Sequence, residues 1–257
     1  MIWFYQKKGW GLGNFIMATP CLELLSKKYN NKINVFFYNK NIEELFKSCN
    51  FINILDKKPS CKPIGTSSSF SKKRLKRESD IELNCRILVK KYNKIPSTYI
   101  DNIENNILNK KLDLTYVAIF HGCLGKVFQD RKDIGASTRQ YLLSFLLKKN
   151  CIPVLLGSKG DSDKYWVKNN LSNSRILNYI GKLTLKESVG VLNSCDCFIS
   201  NDTGLYHVAG ALKKKGLVLW KKTSFHKNKS FFSDIEYCLN PERYKEDIEI
   251  FINNYIL

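Results

Sequence analysis

Short apolar runs alternate with helically spaced apolar residues along this chain, and each run empties into a small or polar turn. That alternation constrains the fold most. A strand–helix–strand unit closes as a right-handed crossover between parallel strands, with the helices covering the sheet faces. Residues 3–5 read as a first strand, 9–14 as a glycine-rich turn and 15–29 as a helix carrying Ile16, Leu22 and Leu25. Residues 33–38 and 51–55 read as strands around a short helix at 42–48. Residues 81–109 are expected to hold one more strand and a helix. A second series starts with a strand at 114–120, then a helix at 138–149 and a strand at 152–156. It continues with a helix at 163–171, a strand at 175–179, a helix at 185–194 and a strand at 197–200. A helix from 202 to about 213, a last strand at 216–220 and a terminal helix at 243–255 complete it. The expectation is an α/β chain of two Rossmann-like domains with parallel sheets, meeting near residues 105–115. Ligands then belong in the cleft outside the strand C-termini.

The chain has 257 residues, 44% of them hydrophobic, which is enough for a packed core. No stretch approaches the ~18 consecutive apolar residues of a membrane-spanning helix. The N-terminus lacks a basic region ahead of its apolar run, so it reads as a strand and not as an export signal. Nine cysteines, odd in number and irregularly spaced, do not make a disulfide framework. They read as reduced thiols, which places the chain in a cytoplasm. With 42 basic and 23 acidic residues, the net charge of +19 favours nucleic acid, an anionic membrane surface or a nucleotide sugar as partner. A general richness in Lys, Asn and Ile is the alternative source of that charge. One run stands above it: Lys72, Lys73, Arg74, Lys76 and Arg77, inside the 57–77 segment, are the candidate polyanion contact. The competing reading is a solvated loop.

Three constellations can carry chemistry. In the first, glycines at 9, 11 and 13 follow a strand and open a helix, with Leu12 and Asn14 between and after them. Glycine permits close backbone approach, and a helix start offers free N–H groups to an anion or a hydroxyl. The spacing is not the dinucleotide fingerprint. In the second, a strand delivers Asp202, Thr203 and Gly204 onto a helix start, and His207 follows four residues after Thr203. Thr203 and the Gly204 N–H can donate to a phosphate. In the third, His121 and Gly122 precede Lys126, Arg131 and Lys132, cations that suit diphosphate oxygens. Each has a structural alternative: a tight turn, an Asp N-cap beside a packing histidine, and the general lysine content. The pair Asp161 and Asp163 reads as capping, and Cys195 and Cys197 should point to opposite sides of a strand start. No metal site is expected.

In this order and spacing, the constellations resemble glycosyltransferase family nine, the heptosyltransferase family. Gly13-Asn-Phe-Ile-Met-Ala-Thr-Pro20 resembles its N-terminal Gly-Asp-x-x-x-x-[TL]-Pro helix start. Phe120-His-Gly122 resembles its mid-chain His-x-Gly, and Val154-Leu-Leu-Gly157 the strand that follows. Gly181-Lys-Leu-Thr-Leu-Lys-Glu187 and Asn201-Asp-Thr-Gly-Leu-Tyr-His-Val-Ala209 resemble its most diagnostic stretch, and Lys222-Thr-Ser224 its next loop.

The resemblance implies a GT-B architecture. Residues 1–112 would be an acceptor domain with a basic loop at 56–80, and residues 113–240 a nucleotide-sugar domain, with a C-terminal helix at 241–257. It implies inverting sugar transfer with no cofactor beyond the nucleotide sugar, no obligatory metal and no obligatory protein partner. The donor would lie against His121, Gly122, Arg131, Asp202, Thr203, Gly204 and His207, with Gly181, Lys182 and Leu183 bordering the nucleoside. Lys126 and Lys132 would neutralise the leaving diphosphate. Gly11, Leu12, Gly13 and Asn14 would hold the acceptor. The family carries an acidic residue, its general base, where this chain has Asn14, and an amide cannot take a proton at neutral pH. The acceptor implied is a bacterial surface glycan of the lipopolysaccharide core type, met at the inner face of the membrane. One alternative is a hydroxymethylated base in DNA, as in virus-encoded DNA modification. Another is a non-catalytic nucleotide-sugar or nucleic-acid binder.

Overall fold

The computed structural model describes residues 2–6, 8, 11–66, 78–122, 131–161 and 173–256. The chain opens with β1 (Trp3–Gln6), α1 (Leu12–Ile16), α2 (Thr19–Tyr29) and β2 (Ile33–Phe37). α3 (Lys40–Glu43), β3 (Ile52–Leu55), β4 (Gly65–Thr66) and α4 (Asp80–Asn84) follow. The second series is β5 (Thr115–Phe120), α5 (Ala136–Lys148), β6 (Cys151–Leu155), β7 (Leu177–Asn178) and α6 (Leu185–Ser194). It ends with β8 (Cys197–Ser200), α7 (Gly204–Ala211), β9 (Gly216–Leu219), α8 (Phe225–Asn228), β10 (Ile235–Cys238) and α9 (Tyr244–Ile256).

The strands form two sheets, in the orders β3-β2-β1-β4 and β10-β9-β8-β5-β6-β7, and every pairing is parallel. The α/β architecture with two parallel sheets therefore stands as expected. In the first sheet the chain runs outward from β1 and returns to its other side at β4. In the second it runs outward from β5 and returns to its other side at β8. Those two reversals are topological switch points, where loops leaving neighbouring strands diverge and open a crevice. The 11–14 turn leaves the first; His121-Gly122 and 201–203 leave the second.

One apolar core runs through both sheets, from Phe4, Phe15, Val35 and Phe46 to Ala118, Phe198, Tyr206 and Trp220. A second core fills the other face of the larger sheet, where Leu142 and Leu146 of α5 meet Ile248, Phe251 and Ile252 of α9. The stretch between the sheets is bonded to both sides. Asp101 takes the Ser48 N–H at 2.8 Å and Tyr99 N–H reaches Thr19 Oγ1 at 2.8 Å, while Lys110 pairs with Asp196 at 2.6 Å.

Three local expectations need correction. The helix expected at 15–29 is two helices. Pro20 has no N–H for the Ile16 carbonyl, and the Thr19 hydroxyl takes that carbonyl instead at 2.7 Å. The fourth strand is Gly65–Thr66, inside the basic segment, and not within 81–109. It lies so close beneath Leu88 that a Cβ at Gly65 would sit 2.9 Å from Leu88 Cδ1. Residues 81–109 instead hold α4, started by a Ser79–Glu82 capping box and continued by a π-helical turn, Cys85–Val89. Its short apolar run does not separate strand from buried helix by periodicity. The strand at Gly216–Leu219 is not the last, because Ile235–Cys238 pairs beyond it as an edge strand. The helix expected at 163–171 lies outside the described residues. Among the described residues no helix is long and apolar enough to cross a membrane.

Candidate functional site

β8 is buried along its whole length and delivers Asn201, Asp202 and Thr203 at its C-terminal end. Thr203 is the N-cap of α7: its Oγ1 accepts the Tyr206 N–H at 3.4 Å. The cap is thus threonine, not the aspartate of the structural alternative, and a helix start leaves its first N–H groups without intrahelical acceptors. Asp202 is buried among donors. Its Oδ2 lies 3.2 Å from Lys132 Nζ and accepts from Asn228 Nδ2 at 3.1 Å, while its carbonyl oxygen accepts from Lys132 Nζ at 2.7 Å. A carboxylate this deep needs a counter-charge, and Lys132 supplies it. The ammonium expected on a leaving diphosphate is therefore held on Asp202. Asn201 Nδ2 donates to the Lys132 carbonyl at 2.9 Å and the His121 carbonyl at 3.4 Å, which joins the β5 and β8 loops. The side chain of Arg131 is exposed, and its carbonyl takes the Lys222 N–H at 3.0 Å.

The glycine-rich turn meets this loop from the other sheet. Gly11 is the extended N-cap of α1, whose first turn carries no acid. α1 lies directly on α7. A Cβ at Gly13 would fall 2.4 Å from Cδ2 and 3.2 Å from Nε2 of His207. A Cβ at Gly204 would be 3.8 Å from Leu12 Cβ and 3.9 Å from the Gly13 nitrogen. Gly11, Leu12, Gly13 and Asn14 are thereby brought against Thr203, Gly204 and His207. Burial pushes the His207 imidazole down to about 4; Asp202 pulls it up and Lys132 pushes it further down. His207 is neutral at physiological pH.

The remaining residues lie at the ends of β5, β6 and β7. Gly122 approaches Asp161 so closely that a Cβ there would be 2.3 Å from Asp161 Oδ2. That same oxygen closes a local turn by accepting from Ser158 N at 2.9 Å and Ser158 Oγ at 2.7 Å. Gly181 has φ +71°, donates its N–H to the Gly157 carbonyl at 3.0 Å, and lies against the Lys159 backbone. Lys182 is exposed, and half-buried Leu183 packs on the main core. Lys126, Lys72, Lys73, Arg74, Lys76 and Arg77 lie outside the described residues. Sequence reasoning missed two residues here. Asn228 carries no motif, and Asp161 was read only as a cap, although it also packs on Gly122. Among the described residues no three His, Cys, Asp or Glu side chains gather as a metal site.

Among curated proteins none matches this chain in sequence at a significant level. Solved structures match its fold over nearly its whole length. ADP-heptose lipopolysaccharide heptosyltransferase II of E. coli aligns with a TM-score of 0.75 at 14% identity, covering 100% of both chains. A family 9 glycosyl transferase from Veillonella parvula aligns with a TM-score of 0.73 at 13% identity, over 96% of this chain and 88% of that one. E. coli heptosyltransferase WaaC, in a structure with ADP, aligns with a TM-score of 0.70 at 12% identity, over 99% and 100%. At such identities the likeness establishes the GT-B fold. The family assignment comes from the sequence. The model of glycosyltransferase family 9 (heptosyltransferase) matches residues 92–250, more than half of the chain, a span that includes the His121, Gly181 and Asp202 loops. A chain with this match, folded as two parallel sheets whose switch-point loops meet, belongs to glycosyltransferase family 9.

Proposed function

We propose that this protein transfers a sugar, of the heptose type, from a nucleotide-diphosphate donor to a hydroxyl of a bacterial surface glycan, with inversion and without a metal. One observation carries the reading: the 11–14 turn of the first sheet and the 202–207 loop of the second meet at the switch points of their sheets. A donor on the second loop and an acceptor on the first would then face each other, the arrangement that a direct displacement needs.

The division of labour follows from the chemistry at each side. The Thr203 hydroxyl and the Gly204 N–H, at the positive end of α7, suit a diphosphate. Arg131 and Lys126 would neutralise it as the nucleoside diphosphate leaves. Gly122, His121 and the 181–183 turn would border the rest of the donor. Residues 1–112 would serve the acceptor and 113–240 the donor. The relatives named for ADP-heptose and ADP support an adenosine diphosphate sugar. A glycolipid acceptor would place the protein at the inner face of the membrane.

Thermal unfolding with ADP, ADP-heptose and other nucleotide sugars tests this. A true donor at 100 Kd should stabilise the fold by about 2.7 kcal/mol. Absence of any shift, with no nucleotide released from any donor, would overturn the reading.

A further inference from the structure

Sugar transfer to a hydroxyl releases a proton, and some group must take it. On the reading just given, the acceptor lies at the 11–14 turn. That turn supplies no base: α1 has no acid in its first turn, and Asn14 is an amide. A titratable side chain does reach it from the other half of the molecule. His207 lies with its ring on Gly13, and Nε2 is only 3.2 Å from where a Gly13 Cβ would be. Nε2 also faces Asp202 Oδ1 at 4.0 Å, with both side chains less than one-tenth exposed. Asp202 is held by its other oxygen, which accepts from Asn228 and pairs with Lys132, so Oδ1 is the oxygen turned to the imidazole.

We propose that His207 is the general base of this protein and that Asp202 stabilises the imidazolium formed. The acceptor hydroxyl attacks the anomeric carbon, and the new C–O bond forms as the bond from that carbon to the diphosphate oxygen breaks. The bonding pair leaves with the nucleoside diphosphate. The hydroxyl proton moves to His207 Nε2, beside the Asp202 carboxylate, and is later lost to solvent. Asn228 and Lys132 act as positioning residues, because they hold the carboxylate without touching the reacting atoms.

The electrostatics suit the task. Among the described residues, the charged groups acting on His207 are Asp202 and Lys132, and α1 brings none. With its proton affinity pushed down to about 4, the imidazole is free of its proton at neutral pH. It is then as basic as an ordinary carboxylate. The dyad thus supplies the base strength that an aspartate at position 14 would have offered. It also explains why glycine stands at 13: any larger side chain would push the ring away.

The test uses the whole protein and needs no identified acceptor, because water can accept the sugar slowly. Release of ADP from ADP-heptose is followed in wild type, His207→Gln and His207→Ala, with ADP binding measured alongside. A general base predicts a kcat loss of roughly 100-fold or more in both variants. Added imidazole should restore part of the His207→Ala rate, in proportion to its free-base concentration. In wild type alone, log kcat should fall with unit slope on the acid side and stay level above it. A variant with raised KM and kcat within about threefold, where a lost base should cost far more, makes His207 a donor contact only and overturns the proposal. So does a kcat loss that imidazole leaves untouched. If wild type neither binds ADP nor releases it, the functional reading itself is wrong, and the base assignment falls with it.

Discussion

Gly13 and His207 touch across the two sheets so closely that a methyl group on Gly13 would lie 2.4 Å from the imidazole Cδ2. Gly13 has an ordinary helical backbone within α1, so glycine is required here by space and not by backbone angle. The contact seats α1 of the first sheet on α7 of the second, and its consequences can be measured.

Gly13→Ala should raise local helix propensity yet destabilise the protein, by about 1–3 kcal/mol for the overpacking. His207→Ala should make room, so the double variant should recover much of that loss. A double-mutant cycle in thermal or urea unfolding checks this, and simple additivity of the two changes would mean the contact is absent.

Stability should fall on acidification through His207. Its folded value, about 4, lies below the ordinary 6.5. The unfolded chain therefore binds a proton that the folded one refuses, and stability present at pH 7 is lost as pH falls from about 6.5 to about 4. The contribution is on the order of 3 kcal/mol. Urea unfolding of wild type and His207→Gln across that window should differ by one proton in slope; parallel curves refute it.

Thr203 caps α7, and on the proposed reading its O–H would also donate to the diphosphate. Thr203→Ala should cost up to about 1 kcal/mol of stability. It should also weaken ADP binding roughly tenfold, the value of a hydrogen bond to a charged group. Thr203→Ser should keep both. Equal ADP affinity in all three forms, read by calorimetry, would move the diphosphate elsewhere.

Asp202→Ala should cost stability as well as any donor contact that the proposed reading gives Asp202. It removes the carboxylate that pairs with Lys132, whose side chain is 19% exposed. Breaking such a pair costs about 3–5 kcal/mol, whereas Asp202→Ala with Lys132→Met removes both charges and should cost less. Unfolding midpoints of the two variants decide it: a double variant no more stable than Asp202→Ala would show that the pair is not the source of the loss.

Turnover should persist in chelator. The motivation is the lack of any gathered His, Cys, Asp and Glu ligand set among the described residues. Loss of ADP release in EDTA, restored by Mg²⁺, Mn²⁺ or Fe²⁺, would refute this and redirect attention to Asp161.

Much of this was legible in the residues. Strand and helix alternation gave the parallel sheets, because burial on both faces leaves long apolar runs that polarity cannot blur. The helix start near residue 204 was marked by small and polar residues, whereas the first helix begins at Leu12, inside the stretch that reads as a glycine-rich turn. The mistakes fell where local pattern is weak. Gly65–Thr66 is too short to announce itself, and the edge strand Ile235–Cys238 needs only β9 beside it to form. Pro20, visible in the sequence, broke a helix that apolar periodicity alone had joined.

By itself the sequence determined which loops could hold ligands, since glycine, threonine and aspartate at strand ends have local physical causes in turn geometry and helix capping. The tertiary structure alone decided what those loops do to one another. Lys132 is a free cation in the sequence and the partner of Asp202 in the fold, held there with Asn228, a residue no motif marks. His207 reads equally as a packing or a binding residue until Gly13 is seen beneath its ring. Such roles depend on which charge is buried beside which, and burial is a property of the packed molecule that no local stretch of chain encodes.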